Sequence, residues 1–146
     1  MCSSDLFRMS VIDSFHDQSM GSQRGSNKIL ILQNAELKCV HLGDIGRVPT
    51  VDEMRLLMRP DVLFVPIGGH YTLNKEEIVL LIKKIFPKVI IPMHYRSDSF
   101  GPSVIGTLSD FLDLMDNEVI YYHTYHMEYD PTLPSHIVVL EPKNTL

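Results

Sequence analysis

A chain of 146 residues with a formal net charge of −5, 45% hydrophobic and 21% charged residues, has room for one domain and too little for two ordinary ones. That balance excludes a disordered chain, and the acidic charge argues against nucleic acid as a partner, because a phosphate-binding surface needs clustered Lys and Arg. No apolar run reaches the roughly 18–20 residues that span a bilayer, and the two cysteines, Cys2 and Cys39, make no disulfide framework. A cytoplasmic protein without membrane contact is the expectation.

In chain order, residues 1–8 read as a non-native or disordered start. The run Cys2-Ser3-Ser4-Asp5-Leu6 has no periodicity and equals the translation of a common sequencing-adapter end, so a truncated reading frame is expected. Residues 9–12 form a short apolar segment leading into a polar, Gly-containing loop over 13–27. Residues 28–32 and 37–40 predict a β-hairpin, with Cys39 as a buried small hydrophobe. Thr50 caps a helix over 51–59, with Asp52 and Glu53 near its positive end and Pro60 closing it. Residues 61–67 are a near-continuous apolar run, the pattern of a buried strand. Asn74 and Glu77 make a capping-box pair for a helix whose stripe is Ile78, Leu81, Ile82 and Ile85, ended by Pro87. Another buried strand follows over 88–92, a helix over 108–115 behind Thr107, and strands over 118–122 and 136–140. The order predicts a layered α/β domain with helices on one side of a mixed sheet.

Three residues stand just past strand-like runs: His16, Asp44 and His94. Strand ends hold side chains rigidly over a cleft, and two imidazoles with a carboxylate suit Zn²⁺, Mn²⁺ or Fe²⁺. Taken singly, each has a plain structural reading: a hydrogen-bonded core or surface histidine, or an aspartate that forms a turn. His41 reads as a structural neighbour of the set. His70 and Tyr71, after Gly68-Gly69, are placed to reach a substrate or to form a tight turn. Arg24 offers a fork for an anionic substrate, or is a solvated loop residue. His123 and His126 read as surface residues.

In sequence order, Ser14-Phe15-His16-Asp17, Arg24-Gly25-Ser26-Asn27, His41-Leu42-Gly43-Asp44-Ile45-Gly46, the strand 61–67 with Gly68-Gly69, Tyr71-Thr72 and Ile90-Ile91-Pro92-Met93-His94-Tyr95 resemble the metallo-β-lactamase superfamily. Within it they are most similar to the branch of small hydrolases related to ascorbate-6-phosphate lactonases. The resemblance implies an αββα sandwich of which residues 9–146 are the C-terminal part of a single domain. It implies two divalent ions, zinc first and manganese or iron as alternatives, with His16 on one, His94 on the other and Asp44 bridging. Asp44 and His94 are the implied catalytic residues, and activated water attacking an ester, lactone or phosphoester is the implied chemistry on a small, anionic substrate. The family's main ligand block, His-x-His-x-Asp-His, is absent from these 146 residues. The expectation is therefore a chain inactive alone, or, as the alternative, a non-catalytic binding or regulatory subunit that completes its sandwich with another polypeptide. Self-association is compatible with either.

Overall fold

The computed structural model describes residues 6–142; Met1 to Asp5 of the expected non-native start lie outside them, and Arg8 already belongs to a strand. Seven strands form one mixed sheet: β1 (Arg8–Phe15), β2 (Ser26–Gln33), β3 (Lys38–His41), β4 (Val62–Pro66), β5 (Val89–Met93), β6 (Glu118–Tyr122) and β7 (His136–Leu140), in the order β1-β2-β3-β4-β5-β7-β6. The β1-β2 and β2-β3 pairs are antiparallel and all others parallel. Two antiparallel steps bring β1 back to the direction of β3, β4 and β5, so Phe15, His41, Pro66 and Met93 all end their strands at one edge of the sheet.

Among the described residues three helices follow β3, β4 and β5 in turn: α1 (Val51–Leu57), α2 (Lys75–Ile85) and α3 (Leu108–Leu112). Each opens with a complete capping box, Thr50 with Glu53, Asn74 with Glu77 and Thr107 with Asp110, so orphan N–H groups of the first turn are paired. Leu57, Ile78, Leu81, Ile82, Ile85 and Phe111 bury in the same cluster as Ile29, Val40, Leu63, Val65, Ile90 and Ile137 of the sheet. The helices therefore cover one face, as the apolar stripes require.

Boundaries differ from the sequence reading where tertiary contacts intervene. The expected loop over 13–27 shrinks to residues 16–25, because β1 runs on to Phe15 with Asp13, Ser14 and Phe15 opposite Lys28, Asn27 and Ser26. α1 stops at Leu57: Met58 is extended and Arg59 takes φ 53°, as expected where Pro60 disfavours helical geometry just before it. α3 closes at Leu112, and the chain reaches Met115 through tighter three-residue bonds from Leu114 to Phe111 and from Met115 to Leu112.

The other face of the sheet is covered in part. Val62, Val89, Ile91 and Val138 are buried there beneath Met127 and Tyr129 of the β6-β7 connection, and the Tyr129 hydroxyl donates to Asp61 at 2.6 Å. Burial and the Asp61 carboxylate push that phenol up to about 12. Toward β1 the cover ends. Met9, Val11, Leu30 and Leu32 stay exposed, and a hollow lined by Met9, Leu30, Leu32, Cys39, His41 and Phe64 lies open. Cys39 is half-buried there.

Candidate metal centre

His16 follows β1, Asp44 lies in the loop after β3, and His94 follows β5, so the common direction of those strands delivers all three to one edge. His16 Nε2 stands 3.3 Å from Asp44 Oδ2, and His94 Nε2 stands 4.0 Å from Asp44 Oδ1. One carboxylate thus faces a different imidazole with each of its oxygens. Nδ1 of both histidines is buried with no hydrogen-bond partner among the described residues. A buried, unpartnered ring nitrogen costs roughly 1–3 kcal/mol.

The loops that carry these side chains are tied down. Asp17 accepts from the backbone N–H groups of Ser19, Gly21, Gln23 and Arg24. Burial opposes its charge, but those four bonds outweigh it and hold the carboxyl below its usual range. Asn27 donates to the Leu42 carbonyl at 2.9 Å and accepts from the Asp44 N–H at 3.0 Å, which fixes the turn that presents Asp44. The Gly46 N–H donates to Phe15 O, and the Leu73 N–H to Ile45 O.

Two glycines touch the histidine backbones directly. A Cβ on Gly46 would collide with the carbonyl oxygen of His16, and one on Gly68 with that of His94. His94 itself takes φ 54°, a left-handed conformation costing about 1 kcal/mol or more for a residue with a side chain. The packed neighbours hold it there.

Arg47 clamps the Asp44 loop to α1 through a two-pronged ion pair with Glu53, at 2.8 and 2.7 Å. Both side chains are largely buried, 20% and 17% exposed. The Arg47 hydrogen bonds, opposed by burial, hold the Glu53 carboxyl at about 2. A depressed carboxyl stabilises the fold above its unfolded value near 4.5 and loses that contribution as pH falls toward about 2. Glu53→Gln is expected to cost about 1–2 kcal/mol at pH 7, allowing for the solvent the pair still touches. Urea titrations should show the variant's stability varying less than wild type between pH 4.5 and 2.

The remaining candidates separate. His41 accepts from the Gly43 N–H at 3.0 Å and stacks on Phe64; burial pushes its imidazole below the usual value, against the raising pull of Asp44. It serves the turn. Arg24 lies over the Tyr71 ring at 5.4 Å, with His70 edge-on to the same ring, so those two loops meet at the rim. His123 and His126 are exposed. Among the described residues, no three His, Cys, Asp or Glu side chains close around a single ion.

Asp17 and Asn27 lie inside motifs visible in the sequence, yet their roles depend on contacts made only on folding. A family model described as a beta-lactamase superfamily domain matches residues 3–94, more than half of the chain. The chain belongs to the metallo-β-lactamase superfamily. It is 28% identical over 97% of its length to a UPF0173 metal-dependent hydrolase of Staphylothermus marinus, of which it covers 52%. It is 29% identical over 88% of its length to another from Methylobacterium nodulans, of which it covers 56%. The chain spans about half the length of these metallo-β-lactamase superfamily relatives. The structure matches that of a candidate zinc-dependent hydrolase of the superfamily from Thermotoga maritima, with a TM-score of 0.72 and 28% identity, covering 92% of this chain and 64% of that one.

Proposed function

We propose that the chain forms one wall of a dinuclear metal-dependent hydrolase centre acting on a small molecule. His16 would hold one divalent ion and His94 the other, with Asp44 as the carboxylate shared between them. The observation that supports this reading is the pair of imidazoles facing opposite oxygens of one carboxylate. Nitrogen and oxygen donors of this kind suit zinc, manganese or iron, and a bridging carboxylate lowers the repulsion between two cations. When bound, such ions act as Lewis acids and lower the pKa of water.

Three donors divided between two positions leave each short of three protein ligands. We therefore propose that further donors come from polypeptide outside these residues, and that the chain alone does not turn over substrate. In the assembled centre, Asp44 would keep the two imidazoles apart and neutralise part of the cationic charge, and His94 would hold its ion at the end of β5. The linkage attacked is an ester, lactone or phosphoester, and the working compartment proposed is the cytoplasm. Separately, among the described residues no helix is long and apolar enough to cross a membrane. Among the described residues no three-ligand set closes, which also supports the reading of a non-catalytic subunit; that reading predicts metal binding without hydrolysis even after the missing ligands are supplied.

Zinc titration followed by histidine ring NMR tests the assignment. The ring signals of His16 and His94 should shift together, those of His123 and His126 should not, and Asp44→Ala should abolish the response. A zinc response confined to other histidines would overturn the assignment.

A further inference from the structure

A cleft of about 790 Å³ opens beside the candidate centre, at the ends of β5 and β7. His94 lines it together with Tyr95, Phe100, Tyr125, Leu140 and Glu141. A substrate whose reacting bond lay at His94 would have this cleft beside it.

The aromatic wall of this cleft is built on a braced turn. The Arg96 N–H donates to Gly106 O at 3.0 Å and its Nε to Ile105 O at 2.8 Å, and the Ser97 N–H donates to Phe100 O at 2.8 Å. These bonds fix Phe100 with its ring 5.8 Å from that of Tyr95, tilted by 57°. Phe100 is nevertheless 42% exposed, so a rigid turn presents an apolar ring to the opening.

Charge decides what the ring is for. Among the described residues no Lys or Arg lines the cleft, and its one formally charged group is the Glu141 carboxylate, paired at 3.1 Å with the exposed His123. In the metal-free chain a phosphate or carboxylate entering here would meet the Glu141 carboxylate and, among the described residues, no Lys or Arg. An uncharged flat ring would instead gain tilted or offset contact with Phe100 and Tyr95. Arg24, the group suited to an anion, is engaged with Tyr71 and is not among the cleft residues.

We propose that this cleft binds an uncharged, flat apolar group of the substrate, and that Phe100 is a specificity-determining residue. The substrate part of this claim rests on the hydrolase reading above; the ligand chemistry of the cleft does not.

The test is an NMR titration of the full chain in metal-free buffer, with benzamide and benzoate as the probes. Benzamide should move the signals of Phe100, Tyr95 and Leu140, and benzoate should bind at least about tenfold more weakly. Phe100→Ala should weaken benzamide by roughly threefold to tenfold, the worth of one aromatic contact. Ser99→Arg, which puts a cation on the exposed turn, should move the preference toward benzoate and stays informative if Phe100→Ala does not fold. Benzoate binding as tightly as benzamide to wild type, benzamide shifts confined to other surfaces, or an unchanged preference in Ser99→Arg would each overturn the proposal. Zinc is titrated separately on the same sample. A zinc response at His16 and His94 without benzamide at Phe100 removes this inference alone. Benzamide binding without any zinc response removes the metal assignment and leaves the cleft chemistry standing.

Discussion

Asp44→Asn is expected to reduce kcat/KM by at least about 10³-fold, roughly 4 kcal/mol of transition-state stabilisation, when the chain is combined with a polypeptide carrying the His-x-His-x-Asp-His block and zinc. The substitution keeps the shape of the side chain and removes its charge and one acceptor oxygen. Both losses matter, because His16 addresses one oxygen and His94 the other, and an amide offers a single good ligand atom. Partners of metal ligands alone are worth 10–100-fold, so a bridging ligand should cost more. p-Nitrophenyl acetate hydrolysis with wild-type and variant chains measures the effect. A variant keeping more than about a tenth of wild-type activity would mean that Asp44 is a turn residue only.

Gly68→Ala should lower stability by about 2–3 kcal/mol, as overpacking does, and Tm by roughly 5–10 °C. The new methyl has nowhere to go. It meets the carbonyl of His94, and that residue is already held in a left-handed conformation by its neighbours. The Gly106 N–H donates to Gly68 O at 2.7 Å, so the β4 loop cannot swing aside without breaking a bond to the segment before α3. Gly46→Ala should behave alike toward His16. Calorimetry gives the loss of stability; ring NMR under zinc should show that the Gly68 variant disturbs His94 more than His16, and the Gly46 variant the reverse. Equal effects on both rings would indicate general loosening of the fold in place of two separate braces.

Much of this arrangement is legible in the chain because its signals are local. Thr50 with Glu53 and Asn74 with Glu77 announce helix starts within four residues, and the stripe from Ile78 to Ile85 announces which side is buried. The strands β6 and β7 span the residues expected of them, each opening on a polar residue, Glu118 or His136, ahead of its apolar run. What the chain conceals depends on partners distant in sequence. The polar stretch that carries β1 to Phe15 resembles loop until Asn27 and Lys28 are placed opposite it. The insertion of β7 between β5 and β6 has no local mark. His16, Asp44 and His94 could be singled out by residue type and by resemblance, whereas Gly46 and Gly68 look like ordinary turn glycines until the carbonyls beside them are known. Asp17 likewise gives no sign that it gathers four N–H groups.

The bare side of the sheet near β1 has a practical consequence. Met9, Val11, Leu30 and Leu32 form a greasy strip beside an eight-residue outer strand whose far backbone groups no other described strand pairs. Such a strip is sticky. During synthesis and purification this chain should draw chaperones, detergents or its own copies, and handling it dilute or with a cover for that strip is the route to the measurements described above.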